Sequence, residues 1–331
     1  MLGRRGLACG ITALGLLGAC GGEASTNAAV GSTSTSSASS GSGGNSATGS
    51  GGDVTSTSSS NGAGGSITGP IGGERPVTVI APPAYSPNVA APLLLLLHGY
   101  SAGGDVQELY LDLGTEAAKR GYLFAHPDGS IDKGGLEFWN ATDACCDFYG
   151  SGIDDSTYLA KVIADIQLVF NVDARRIYLM GHSNGAFMSH RVACDHADLI
   201  SAIATLSGSQ YKDATQCKPS EPVSALIIQG TLDSVILYGG GKLFGKDYPG
   251  AMETAQDWAN NDGCKGAPNE SLPNLDLVGL PIAETQVLRW ENCAAKSSVE
   301  HWRIGGATHI PLFKKNFNAE LFDFFDGHAK P

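Results

Sequence analysis

Three residues far apart in the chain have types and settings suited to one chemistry. Ser183 stands in Gly181-His182-Ser183-Asn184-Gly185, Asp233 in Gly230-Thr231-Leu232-Asp233, and His309 in Gly305-Gly306-Ala307-Thr308-His309. A serine hydroxyl is a poor nucleophile at neutral pH and needs a base. An imidazole whose tautomer is fixed by a carboxylate is such a base. The order Ser, Asp, His is the one expected when the serine sits on a Gly-x-Ser-x-Gly turn between a strand and a helix. Attack on a carbonyl carbon also needs donors for the oxyanion. Leu97-His98-Gly99-Tyr100 offers the main-chain N–H of Tyr100, and the residue after the serine offers that of Asn184. The Tyr100 ring is expected to line the acyl pocket.

Other residues fit these roles less well. His182 lies inside the turn and cannot reach back to Ser183 as its base. His301 falls mid-strand and is expected to pack, His190 and His196 belong to or follow a helix, and His328 is near the terminus. Asp262 and Asp276 are the fallback acids, and a turn aspartate capping the next segment is the alternative reading of Asp233. For Ser183 the alternative is an incidental serine in a tight turn.

The elements that must position these groups are legible from apolar runs. Arg176-Ile177-Tyr178-Leu179-Met180 reads as a buried strand, and Ala186 to Ala193 reads as the helix that follows the turn. Leu93 to Leu97 is five consecutive leucines, limited to strand length by Pro92 and Gly99. Further strands are expected over Val77–Ala81, Tyr122–Ala125, Ile200–Leu206, Ser224–Ile228, Thr285–Trp290 and Val299–Ile304. Helices are expected over Leu109–Arg120, from a cap at Asp155 to about Phe170, and over Ala251–Asn261 and Phe317–Phe325. The irregular stretch 127–152 is rich in Gly, Asp and Cys, and no internal repeat is visible. Alternating strands and helices imply an α/β fold with a mostly parallel sheet and helices on both faces. Asp233 and His309 each follow a strand directly, so both should gather with Ser183 at the C-terminal edge of that sheet.

Composition divides the 331 residues into three parts. Residues 1–19 carry Arg4 and Arg5 before the apolar run Leu7–Leu17, which is too short to span a bilayer and reads as a secretory signal. It ends in Leu17-Gly18-Ala19-Cys20, similar to a bacterial lipobox, so Cys20 is expected to carry acyl chains; the alternative is an ordinary signal with a chance cysteine. A lipid anchor would be the only membrane contact, at the outer membrane or cell surface, with release from the cell as a further outcome. Residues 20–70 are nearly all Gly, Ser, Thr, Ala and Asn, a composition that cannot bury enough apolar surface to order itself. As a flexible tether of some fifty residues they would reach about 40 Å. Residues 71–331 have the size of one α/β domain. The formal net charge of −12, with no Lys/Arg cluster, argues against nucleic-acid binding.

Apart from Cys9 and Cys20, the cysteines are Cys145, Cys146, Cys194, Cys217, Cys264 and Cys293. An even number in an exported domain suggests disulfides, though six cysteines allow fifteen pairings. Cys194–Cys217 and Cys264–Cys293 close modest loops between adjacent elements and are preferred. That leaves Cys145 and Cys146 as a vicinal pair or as partners of something else. No histidines lie at zinc-like spacing, and the chemistry above requires neither metal nor cofactor.

Several motifs occur together in order. They are Leu93–Tyr100, Phe138-Trp139-Asn140 with Cys145-Cys146, Gly152-Ile153-Asp154-Asp155, the turn at 181–185, Gly230-Thr231-Leu232-Asp233, and Gly305-Gly306-x-x-His309. The set resembles the secreted polyhydroxybutyrate depolymerase / feruloyl esterase family of the α/β-hydrolase fold, over most of residues 74–327. The resemblance implies a serine carboxylic ester hydrolase with Ser183, Asp233 and His309 as triad. It also suggests Trp139 near the substrate cleft, although a core or loop-packing tryptophan suits the sequence equally. Family members often carry a Gly-His-Thr-Trp-Pro-like segment where this chain has Thr308-His309-Ile310-Pro311. No aromatic substrate contact is therefore implied at that point.

The expected partner is an ester substrate, polysaccharide-linked or a polyester oligomer: a feruloyl, acetyl or hydroxyalkanoate ester. The oligomeric state is open. An acyltransferase on the same fold and a non-catalytic, surface-displayed interaction domain are the alternatives; a peptidase is weaker, for want of a gating domain.

Overall fold

The computed structural model describes residues 69–331. The signal-like segment, Cys20 and all but the last two residues of the tether lie outside the described residues. In chain order the elements are β1 (Ala91–Leu97), α1 (Gly104–Leu111), α2 (Leu113–Arg120), β2 (Leu123–Ala125), β3 (Ser130–Ile131), β4 (Glu137–Phe138), α3 (Asp155–Val169), β5 (Val172–His182), α4 (Asn184–Asp195) and β6 (Ala202–Leu206). They continue with β7 (Ser224–Gly230), β8 (Gly240–Leu243), β9 (Lys246–Pro249), α5 (Ala251–Asn261), β10 (Thr285–Trp290), β11 (Val299–Ile304) and α6 (Asn316–Asp326).

Seven strands form one sheet in the order β10-β11-β7-β6-β5-β1-β2. β10 and β11 run antiparallel; every other pair is parallel. The leucine run explains the layering. Leu93, Leu95 and Leu97 face a core that contains Leu159 of α3, Phe187 of α4 and Trp258 of α5. Leu94 and Leu96 face the opposite core, with Leu113 of α2 and Phe322 and Phe325 of α6. A central strand covered on both faces has no polar side, which is why its residues do not alternate. Because β1, β5, β7 and β11 are mutually parallel, Tyr100, Ser183, Asp233 and His309 emerge near the same edge. Among the described residues no helix is long and apolar enough to cross a membrane.

Three expectations about local structure are corrected, and one element is added to them. Val77–Ala81 is not a strand: only Ile80 pairs, with Phe124, and Pro82 and Pro83 follow without N–H groups to extend a ladder. The helix expected over Leu109–Arg120 is two, divided at Asp112 with φ 50°. There the Glu108 carboxylate accepts from Leu113 and Gly114 N–H at 3.1 and 2.8 Å and starts the second helix. The β8–β9 hairpin was not anticipated, because its glycine-rich sequence lacks period-2 alternation. The cap of α3 is Asp154, which accepts from Thr157 N–H, and not Asp155, which is the first helical residue and buried.

The six cysteines of the described region pair as Cys145–Cys146, Cys194–Cys217 and Cys264–Cys293. The last two span sequence separations of 23 and 29 residues. Loops of that size restrict the unfolded chain by about 3 kcal/mol each in the chain-entropy picture.

Asp262 ends α5 in full burial and accepts Val223 N–H at 3.2 Å, at the entrance to β7. Burial pushes its carboxyl up to about 7, against the opposing pull of the Ser297 hydroxyl and the Val223 N–H. An unfolded aspartate titrates near 4. Between about pH 4 and 7 the native state therefore keeps a proton that the unfolded state releases, and stability falls as pH rises through that window. Asp262→Asn removes this slope. It is expected to leave stability little changed at pH 4 and to raise it at pH 8 by up to about 4 kcal/mol, read from urea unfolding at both pH values.

Candidate active site

Ser183 occupies φ 54°, ψ −118°, between the end of β5 and the start of α4. A non-glycine residue in that region is strained by about 1–3 kcal/mol and persists only when its surroundings over-determine it. Here they do. Ser183 N–H donates to Leu206 O at 2.8 Å, and its own carbonyl accepts from Ala186 and Phe187 N–H. The two glycines allow the close crossing. A Cβ on Gly181 would stand 2.1 Å from Gly185 O, and one on Gly185 would stand 2.1 Å from Leu97 O. The motif spacing is thus a packing requirement between β5, α4 and β1.

The structure brings Ser183, His309 and Asp233 into one line. His309 Nε2 lies 3.0 Å from Ser183 Oγ, and His309 Nδ1 lies 2.9 Å from Asp233 Oδ2. The carboxylate fixes the tautomer: Nδ1–H donates to it, and Nε2 is left to accept the serine proton. Asp233 is buried and held at four points. Oδ1 accepts from Val235 and Ile236 N–H, both at 2.9 Å, and Oδ2 accepts from Gln229 Nε2 at 2.9 Å as well as from His309. Burial alone would raise this carboxyl, but the hydrogen bonds, led by His309, outweigh it and hold Asp233 below its ordinary value.

His309 is itself fixed through its carbonyl, which lies 3.1 Å from His182 Nε2 and accepts from Ser207 Oγ at 3.2 Å. Burial, with His309 alongside, pushes His182 down to about 3, so this ring is neutral. Its Nδ1 faces Gln107 Oε1 at 3.2 Å, and the same oxygen accepts Gly99 N–H at 3.1 Å. His182 therefore ties the turn to the loops after β1 and β11.

Gly99 lies against the serine; a Cβ there would come within 3.4 Å of Ser183 Cβ. Among the described residues neither Tyr100 N–H nor Asn184 N–H is engaged in a hydrogen bond. Two unengaged donors beside a serine aligned with an imidazole form an arrangement able to transfer a proton to the base while holding a developing oxyanion.

The remaining expected site residues are placed as follows. The Tyr100 ring is half-buried; its hydroxyl donates to Asp132 at 2.6 Å and its ring packs edge-on against Phe148. Trp139 does not line a cleft. It is 0% exposed, its indole N–H donates to His98 O at 3.2 Å, and its ring lies 5.0 Å from that of His98. The Asn184 side chain clamps its backbone, accepting Trp139 N–H at 2.7 Å and donating to Trp139 O at 2.9 Å. The adjacent Asn140 N–H is held by Asp155, which is ion-paired with Arg75 at 2.7 Å. Of the fallback acids, Asp276 is exposed and ion-paired with Lys314, and Asp262 lies at the opposite end of β7 from Asp233. His301 and His190 are buried on Tyr238 and Trp258 partners. His98, Asp128 and Glu137 cluster closely enough to suggest a cation site. However, His98 Nδ1 bonds Gly99 O and Nε2 accepts Gly129 N–H, leaving no ring lone pair for a metal.

Sequence reasoning missed Gln107, Gln229 and the positioning roles of His98 and the Asn184 side chain. Gln229 carried a signal: a single amide ending the apolar run Ala225–Ile228 has to find partners when the strand is buried. Burial of Trp139 also yields a stability test. Trp139→Ala should cost about 3–5 kcal/mol by thermal or denaturant unfolding, whereas a tryptophan on an open cleft wall would cost far less.

No protein-family model matches the chain. It is 30% identical over 243 residues to feruloyl esterase B of Piromyces equi, an alignment covering 71% of this chain and 42% of that protein. It is 26% identical over 261 residues to the bifunctional acetylxylan esterase/xylanase XynS20E of Neocallimastix patriciarum, covering 77% and 33%. The chain thus spans less than half the length of these curated relatives. Among solved structures, the acetyl xylan esterase from Aspergillus awamori superimposes with a TM-score of 0.56 at 15% identity, covering 76% of this chain and 93% of that one. Sheet order and the structural likeness show the α/β-hydrolase fold, and over part of their length feruloyl and acetylxylan esterases are similar to this chain in sequence.

Proposed function

We propose that the protein is an exported serine carboxylic ester hydrolase, with Ser183 as nucleophile, His309 as general base and acid, and Asp233 as the carboxylate that orients it. The observation carrying this reading is the continuous Ser183–His309–Asp233 line at 3.0 and 2.9 Å, beside two unengaged main-chain donors. Ser183 Oγ attacks the ester carbonyl as its proton passes to His309 Nε2. Asp233, already ionised by its hydrogen bonds, stabilises the imidazolium. Tyr100 and Asn184 N–H hold the tetrahedral oxyanion. The C–O bond to the alcohol breaks as His309 returns the proton to it, leaving an acyl-serine. Water then attacks the acyl carbon, giving its proton to His309, and Ser183 leaves reprotonated as the free acid departs.

The names of the relatives support esters linked to plant polysaccharide, feruloyl or acetyl, as substrates; hydroxyalkanoate oligomers belong to the same chemical class. Export and attachment through Cys20 rest on the signal-like residues 1–19 and the lipobox-like 17–20. No step requires a metal.

The purified protein is expected to hydrolyse p-nitrophenyl acetate and butyrate, with activity unaffected by EDTA. Ser183→Ala should lower kcat by ~10³-fold or more, and Asp233→Asn by ~10²–10⁴-fold. Equal rates from wild type and Ser183→Ala would refute the reading. Comparing kcat/KM on methyl ferulate, acetylated xylan and hydroxybutyrate oligomers then ranks the substrates.

A further inference from the structure

His98 and Trp139 are both buried, and together they join the main-chain N–H groups of Asn184 and Tyr100. Beginning at the turn, Asn184, whose N–H is one donor, grips both main-chain polar groups of Trp139. The Trp139 indole donates to the carbonyl of His98. His98 Nε2 accepts Gly129 N–H at 2.8 Å, which leaves the ring proton on Nδ1, and Nδ1–H donates to Gly99 O at 2.8 Å. That carbonyl belongs to the peptide unit whose N–H is Tyr100, the other donor. Ala102 N–H bonds the same oxygen at 3.2 Å. In a trans peptide the C=O and N–H point in opposite directions. Fixing the Gly99 oxygen from the His98 side therefore aims the Tyr100 N–H the other way. Burial lowers the His98 pKa, in keeping with a neutral ring that holds one tautomer.

We propose that His98 is a positioning residue: through the Gly99 carbonyl it sets the direction of the Tyr100 N–H, and through Trp139 and Asn184 it ties that donor to the one after the nucleophile. The proposal rests on the esterase reading for its catalytic consequence, but the tautomer and the peptide orientation are properties of the resting protein.

Two substitutions separate donor from acceptor. His98→Asn retains an N–H near the position of Nδ1; His98→Gln places its amide near Nε2 and loses the donor to Gly99 O. His98→Gln is expected to lower kcat on p-nitrophenyl acetate by ~10–100-fold, with KM changed less than about threefold, and His98→Asn to recover most of the loss. A purely structural histidine predicts equal losses for both variants, tracking their Tm values, and that result would overturn the proposal, as would wild-type kcat in His98→Gln. A second measurement requires neither turnover nor a variant. Nitrogen-15 NMR of the wild-type imidazoles should find His98 neutral and protonated at Nδ1 at pH 7; protonation at Nε2 would sink the proposal. Absence of wild-type turnover would instead remove the esterase reading, and the tautomer would still decide this one.

Discussion

The close crossing of α4 over β1 at Gly185 is the constraint on which the site depends. The Leu97 carbonyl occupies the space a side chain at 185 would need. Helix and strand can approach that far only with glycine there, and a helix seated so close forces the link from β5 into α4 through the strained turn at Ser183. The strain is sustained by the surrounding sheet. Leu206 O takes the Ser183 N–H, so β6 as well as β5 and β1 determines where the hydroxyl points. Relaxing the turn would break that bond and leave the Ser183 N–H and the Leu206 carbonyl to find other partners.

Parallel order does the rest of the assembly. β5, β7 and β11 end at one edge, and the loop after each contributes one member of the Ser183–Asp233–His309 line. No loop acts alone. Leu232 N–H donates to Ala307 O at 2.9 Å, joining the acid loop to the base loop, and Gly306 N–H donates to Thr231 Oγ1 at 2.9 Å. These contacts hold Asp233 and His309 together in the resting protein, so the imidazole is oriented toward Ser183 without any ligand.

Much of this was legible in the sequence because it is local. The five leucines, the glycines flanking Ser183, and the strands running into Asp233 and His309 each announce themselves within about ten residues. What was not legible is long-range and polar. Nothing near Trp139 reveals that Asn184 will clamp its backbone, because the two are 45 residues apart and meet only after the 139–146 loop folds over α4. A large aromatic in a loop rich in Gly, Asp and Cys resembles a substrate platform, and only tertiary burial shows it to be a wedge. The break at Asp112 was hidden for a related reason: helical spacing continues through it, while the Glu108 side chain, reaching forward to Leu113 and Gly114, decides where one helix ends and the next begins.

The buried polar groups divide by position in a way that bears on function. At the C-terminal edge His98, Asn184, Gln229 and Asp233 each bond at two or more points, and Asn184, His98 and Asp233 reach partners in other loops. Satisfied networks of this kind add little net stability compared with apolar packing, but each wrong geometry would strand a buried donor or acceptor, at a cost of about 1–3 kcal/mol apiece. They therefore narrow the ensemble at the edge where Ser183, Asp233 and His309 meet. At the opposite end of β7, Asp262 has no such circle of partners, and its raised pKa is the sign of that deficit. Leucine and phenylalanine hold the sheet together; the polar pins at one edge give that stability a direction, fixing which conformation of the loops the cores will support.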